Sequence, residues 1–168
     1  MECAETDRQP FPDESNLEFV PVDQLQDPII QRSVAYWDSL RNGRRFPARD
    51  LLKPQKLGSA LRYLVLLKVL DGGADFEYRI VGDVASTAYR IPRQNRRLSE
   101  IAKVAPRAAH RLGRTYSCCL ETKAPFGVRW TPGRDVELAN FSSSEAAILP
   151  LGPDDDTVDH ILIFLIAN

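Results

Sequence analysis

Residues 63–88 read YLVLLKVLDGGADFEYRIVGDVASTA, and four local patterns in this stretch decide the fold. From Tyr63 to Leu70, Lys68 is the one charge among apolar residues, the composition of a strand buried on both faces. Asp71 to Asp75 is a run of short residues around Gly72 and Gly73, which can take positive φ and reverse the chain. Phe76, Tyr78 and Ile80 then alternate with Glu77, Arg79 and Val81, as in a half-exposed strand. Gly82-Asp83 caps a short helix through Val84, Ala85 and Ala88. A buried strand, a tight hairpin, a lateral strand and a short helix form the nucleus of an α+β domain that carries no chemistry of its own.

Toward the N-terminus, residues 1–27 are expected to be a flexible arm, and residues 28–168 a single domain. Met1 to Asn16 lack periodicity and carry Pro10 and Pro12, while Leu17–Val20 can add a short strand. Asp27-Pro28 is a helix start, a capping residue followed by proline at the first helical position. Ile29, Ile30, Ser33, Val34, Tyr36, Trp37 and Leu40 follow at helical spacing, and Asn42-Gly43 supplies the stop. This stripe either packs on its own domain or forms a homodimer contact through Ile30, Val34 and Trp37. Lys53-Pro54 opens a further short helix.

Toward the C-terminus, Arg90, Arg93, Arg96 and Arg97 punctuate the segment after the nucleus. Such a run is a solvated loop or a cradle for phosphate or carboxylate. Pro106 to Thr122 is helical, with Ala108, Ala109, Leu112, Tyr116, Cys119 and Leu120 inward and Arg107, His110, Arg111, Arg114 and Glu121 outward. Phe126, Val128 and Trp130 mark a strand closed by a turn from Thr131 to Arg134. Glu145–Leu151 and Val158–Ala167 are further strands, the last apolar throughout from Ile161 to Ile166 and therefore central. Asp154 to Asp156 lack the alternate spacing of a calcium loop and read as a solvated turn.

The composition excludes several classes. Across 168 residues the net charge is −1, against the basic excess of a general nucleic-acid binder. The cysteines, Cys3, Cys118 and Cys119, suit neither a disulfide framework nor a zinc site, which points to a reducing compartment. A polar, acidic N-terminus is no secretory signal, and no apolar run reaches the roughly 18 residues of a membrane span. A cytoplasmic protein is expected. No phosphate loop, dinucleotide fingerprint, nucleophile elbow or metal motif is present, so no catalytic residue is assigned and an enzyme is disfavoured.

The order of elements, with Tyr36-Trp37, Leu40-Arg41, Gly43-Arg44, Pro47-Ala48-Arg49 and Pro54, then Phe76, Arg79 and Val81-Gly82, then Leu149-Pro150-Leu151 and Val158-Asp159, resembles a bacterial group of small stand-alone PAS-like proteins over about residues 29–167. The resemblance implies a PAS-like fold, a five-stranded antiparallel sheet with helices on one face and an added N-terminal helix. The chain departs from the group at Asn95-Arg96-Arg97-Leu98 and between Thr131 and Glu145. Haem-binding members use a histidine on the long helix, here His110, which the helical phase turns outward. Flavin-binding members use a reactive cysteine ahead of that helix, where this chain has none. Both cofactors are therefore disfavoured.

Two functions remain open. One is a sensory or regulatory module with a small apolar or anionic molecule bound between sheet and long helix and a partner protein as its output. Its candidate lining is Tyr78, Ile80, Tyr116, Trp130 and Phe164, with Arg79 or Arg97 as polar handles. The other is a ligand-free interaction or dimerisation module acting through the Ile29–Leu40 helix.

Overall fold

The structure is a computed structural model, and it describes residue 3, residues 16–132 and residues 139–168. Its elements in chain order are β1 (Leu17–Val20), α1 (Pro28–Leu40), α2 (Pro54–Leu57), β2 (Leu64–Leu70), β3 (Asp75–Val81), α3 (Asp83–Thr87), α4 (Leu98–Ala102), α5 (Pro106–Thr122), β4 (Phe126–Trp130), β5 (Ser144–Leu151) and β6 (His160–Ala167). All strand pairs are antiparallel, in the order β1-β4-β5-β6-β2-β3.

The α+β, PAS-like architecture is as the sequence implies, with the two apolar strands β2 and β6 side by side. The sheet has six strands rather than five. Leu17–Val20 pairs with Trp130–Gly127 at the edge, so ordered sheet begins inside the segment expected to be an arm. The physical reason is burial: Val20 is 3% exposed, and Leu17 and Phe19 pack against the core.

Pairing fixes which side chains share a face. Val65 opposes Ile163, which opposes Ile148, which opposes Phe126, and this row faces α5. The alternate row, Leu66, Leu162 and Leu149, is also buried, against the opposite layer containing α1. Because β2, β5 and β6 are apolar on both sides, the sheet needs cover on both faces, and the added N-terminal helix α1 supplies it on the face opposite α5.

Helix α1 begins as predicted: the Asp27 carboxylate accepts from the amides of Ile29 at 2.8 Å and Ile30 at 3.3 Å. Its apolar stripe is spent within the chain. Ile30 is fully buried, Trp37 is 1% exposed and its indole Nε1–H donates to the Pro150 carbonyl at 3.0 Å, and Val34 is half-buried. Of the expected dimer face, Ile30 and Trp37 are thus buried within the chain, while Val34 stays partly exposed.

A β-bulge alters β3. Leu66 opposes Ile80 while Leu67 opposes Tyr78, leaving Arg79 as the extra residue and placing Tyr78 and Ile80 on opposite faces. The freed Tyr78 backbone pairs with the loop before α4, its amide donating to Arg96 O at 2.9 Å and its carbonyl accepting from Asn95 N at 2.8 Å. At the end of β3, a Cβ on Gly82 would meet the Leu61 and Arg62 carbonyls at 2.4 Å. Only glycine permits that approach.

Cys3 is joined to Cys118 by a disulfide, contrary to the reading of the cysteine count; a separation of 115 residues leaves no spacing signal for it. Cys119 is a free, buried thiol, and burial pushes its pKa up, as befits a small hydrophobe.

Trp37→Ala should lower the unfolding free energy by about 3–5 kcal/mol in urea denaturation and leave the light-scattering mass unchanged. A halved mass with stability preserved would instead make this face an interface between copies.

Candidate functional site

Between α5 and the sheet lies a cavity of about 60 Å³. Its existence follows from small side chains on one strand: where β5 crosses beneath α5 it presents Ser144 and Ala146, which leave the space that larger residues would fill. Val65, Val128, Ile148, Ile163 and Leu165 form the apolar floor, Leu112, Thr115 and Tyr116 the α5 wall, and Leu17, Tyr89 and Trp130 the ends. The Thr115 hydroxyl donates to Arg111 O at 3.1 Å, so its hydrogen is already engaged by the helix backbone.

Two arginines complete the lining. Arg93, in the loop held by the β3 bulge, is 4% exposed. Its guanidinium carbon lies 4.5 Å from the Tyr89 ring centre and 5.4 Å from that of Tyr78, and its Nη2 donates to Ala85 O at 2.7 Å. Its Nε is buried with no hydrogen-bond partner among the described residues. Arg111, half-buried on α5, stacks its guanidinium carbon 3.6 Å above the Trp130 ring. Among the described residues that line the cavity there is no carboxylate.

Aromatic packing fixes these cations in place. Phe141 meets Tyr89 edge-on at 5.7 Å and Trp130 at 5.2 Å, which ties the two ends of the cavity together. Behind Arg93, the Tyr78 and Tyr116 hydroxyls are hydrogen-bonded to one another at 2.7 Å, both buried. Burial raises the Tyr78 pKa, against the opposing pull of the nearby Arg93 cation, and holds that of Tyr116 well above the ordinary value. Both phenols are neutral near pH 7.

Of the residues expected to line the site, Tyr116 and Trp130 do so, and Tyr78 sits just behind, beneath Arg93. The others lie elsewhere. Ile80 is 40% exposed, turned out by the bulge. Arg79 is exposed and paired with Glu77 at 2.7 Å. Arg97 is exposed, its amide donating to Glu100 Oε2 at the start of α4. Phe164 is fully buried, but it alternates with Ile163 and Leu165 and so faces the α1 side. His110 is half-buried and not part of the lining. Part of the Thr131–Arg134 turn lies outside the described residues.

Arg93, Arg111 and Tyr89 were not among the expected site residues. Arg111 had a legible signal, since it falls three residues after Ala108 and four before Thr115, on the edge of the inner stripe. Arg93 had none beyond its membership of the arginine run, of which it alone is buried.

An antiparallel sheet with a long helix laid over a small cavity defines an α+β domain of PAS-like architecture. Residues 26–166 match the PAS domain family, and the chain belongs to that family, whose members are sensory and regulatory modules rather than typical catalysts. Among solved structures, the chain titled crystal structure of sensory box sensor histidine kinase from Vibrio cholerae is similar, at 14% identity and a TM-score of 0.43, over 83% of this chain and 96% of that one. No match is found among curated proteins. No helix among the described residues is long and apolar enough to cross a membrane.

The tyrosine pair yields a stability test. Tyr116→Phe strands the buried Tyr78 hydroxyl and should cost about 1–3 kcal/mol. The double variant, Tyr78→Phe with Tyr116→Phe, should cost less than the sum of the single changes in urea denaturation. Additive losses would mean the hydroxyls are satisfied elsewhere.

Proposed function

We propose that this PAS domain is a sensory or regulatory module that binds a small molecule in the cavity between α5 and the sheet and passes its occupancy to a partner protein. The observation that carries the reading is the buried Arg93 side chain, which lines an otherwise largely apolar cavity while its Nε lacks a partner. A packed core closed only for stability has little use for such a group, because an unpartnered buried polar atom is costly. The cavity is also small. At about 10–15 Å³ for each water-sized occupant, 60 Å³ holds roughly four to six non-hydrogen atoms.

A route from ligand to partner is built into the sheet. On β5 and β6 the residues that touch the cavity alternate with residues on the α1 side, and Trp37 of α1 is hydrogen-bonded to the β5 backbone at Pro150. A shift of these strands on ligand binding therefore reaches α1. The output surface of this reading is α1 together with its flanking segments, presented to a partner protein. The dimerisation reading loses its main support, since Ile30 and Trp37 are buried within the chain.

Native mass spectrometry of the purified protein should show added mass that is lost on denaturation. The same species should be missing from Trp130→Ala, with circular dichroism confirming that the variant is folded. A bare polypeptide mass, together with no thermal shift across a panel of metabolite-sized molecules, would contradict the reading and favour a ligand-free module.

A further inference from the structure

We propose that the Cys3–Cys118 disulfide is a reversible redox tether, which fastens the segment ahead of β1 to α5 when oxidised and releases it when reduced, with the domain folded in both states. This goes beyond the cavity reading and holds whether or not a ligand is bound. The fold does not require the bond. Three cysteines in 168 residues are far from the density of scaffolds that depend on disulfides, and the core is built chiefly on the apolar strands β2, β5 and β6.

Exposure decides how the bond is reached. Cys118 is 2% exposed, whereas Cys3 is half-buried at the margin of the core. Cys3 is therefore the end open to a thiol, and an accessible disulfide is the reducible kind. The thiolate of a low-molecular-weight thiol attacks Cys3 Sγ and forms a mixed disulfide, while the Cys3–Cys118 bond breaks and Cys118 leaves as a thiolate that takes up a proton. A second thiolate attacks the reductant's sulfur in the mixed disulfide, and Cys3 leaves and is protonated in turn. The products are two protein thiols and one low-molecular-weight disulfide, and an excess of that disulfide drives the reverse. Cys119 takes no part, since its thiol is fully buried and burial pushes its pKa up.

The elements that the bond joins give it a consequence. Cys118 follows Thr115 and Tyr116 on α5, and Leu17 opens β1; these three residues line the cavity. Strand β1 has four residues and lies at the sheet's edge, paired with β4, so it depends more than the central strands on what holds the chain ahead of it. Reduction loosens β1 and the end of the cavity that it forms, and leaves β5 and β6 as they are.

For the test, the purified chain is equilibrated with glutathione mixtures of graded ratio, and free thiols are then trapped with N-ethylmaleimide in denaturant and counted by mass. The count should rise from the one thiol of Cys119 to all three cysteines across those mixtures and return on reoxidation, with the circular dichroism spectrum unchanged. Amide exchange at Leu17–Val20 should be at least about tenfold faster in the reduced protein and in Cys3→Ser, and unaltered in β5 and β6. Cys119→Ala should titrate like the wild type. A bond that persists in about 10 mM reduced glutathione would make it a fixed crosslink and overturn the proposal. Unfolding on reduction, failure of the bond to form in the oxidised reagent, or equal β1 exchange in both states would overturn it too.

Discussion

The structure depends on one constraint: its three central strands are apolar on both faces. Leu64 to Leu67, Ala146 to Leu149 and Ile161 to Leu165 are all buried, so neither side of the sheet can be left to water. One face is covered by the layer containing α5 and the other by the layer containing α1. Burying a Leu, Ile or Phe side chain contributes about 1.5–3 kcal/mol, and the central strands supply such residues to both layers. That shared burial makes the added N-terminal segment part of the fold, because without α1 the row containing Leu162 and Phe164 would be exposed.

The cavity is the place where this packing is deliberately incomplete. Across most of the sheet the α5 side is filled by Phe126, Leu67, Phe76 and Tyr78. Toward β4 and β5 the fill changes to Val128, Ala146 and Ser144, and two arginines enter from the helix and the loop. The bulge at Arg79 is what brings the second of these in. It turns the Tyr78 backbone toward Asn95 and Arg96, so the loop is held along β3 and Arg93 is pinned over the tyrosine rings. Architecture and site chemistry are therefore coupled through a single irregularity in an edge strand.

Most of the architecture was legible because it rests on local patterns. Asp27-Pro28, Gly82-Asp83 and Pro106 start helices where the local sequence places them, the first with a side-chain cap from Asp27, and the apolar runs at 64–70 and 160–167 fall inside the sheet. The site was legible only in part, for three physical reasons. Alternation places Tyr78 and Ile80 on one face, and a bulge, which depends on pairing, reverses the second. A charge on a helix was read as solvated, whereas Arg111 reaches an aromatic face on another element and stacks there. The arginine run could not reveal which member would turn inward, since that is set by the long-range pairing of Tyr78 with Asn95 and Arg96. The same limit hid the Cys3–Cys118 pairing and the exclusion of Phe164 from the lining.

The central claim is that Arg93 is a desolvated cation beside the cavity whose Nε–H has no partner among the described residues. Nitrogen-15 correlation spectra of the arginine Nε–H groups test it directly, with the Arg93 resonance assigned from its loss in Arg93→Lys. The account predicts a signal that exchanges with water far more slowly than those of exposed arginines such as Arg79 and Arg90. Exchange as fast as at those surface positions would contradict it.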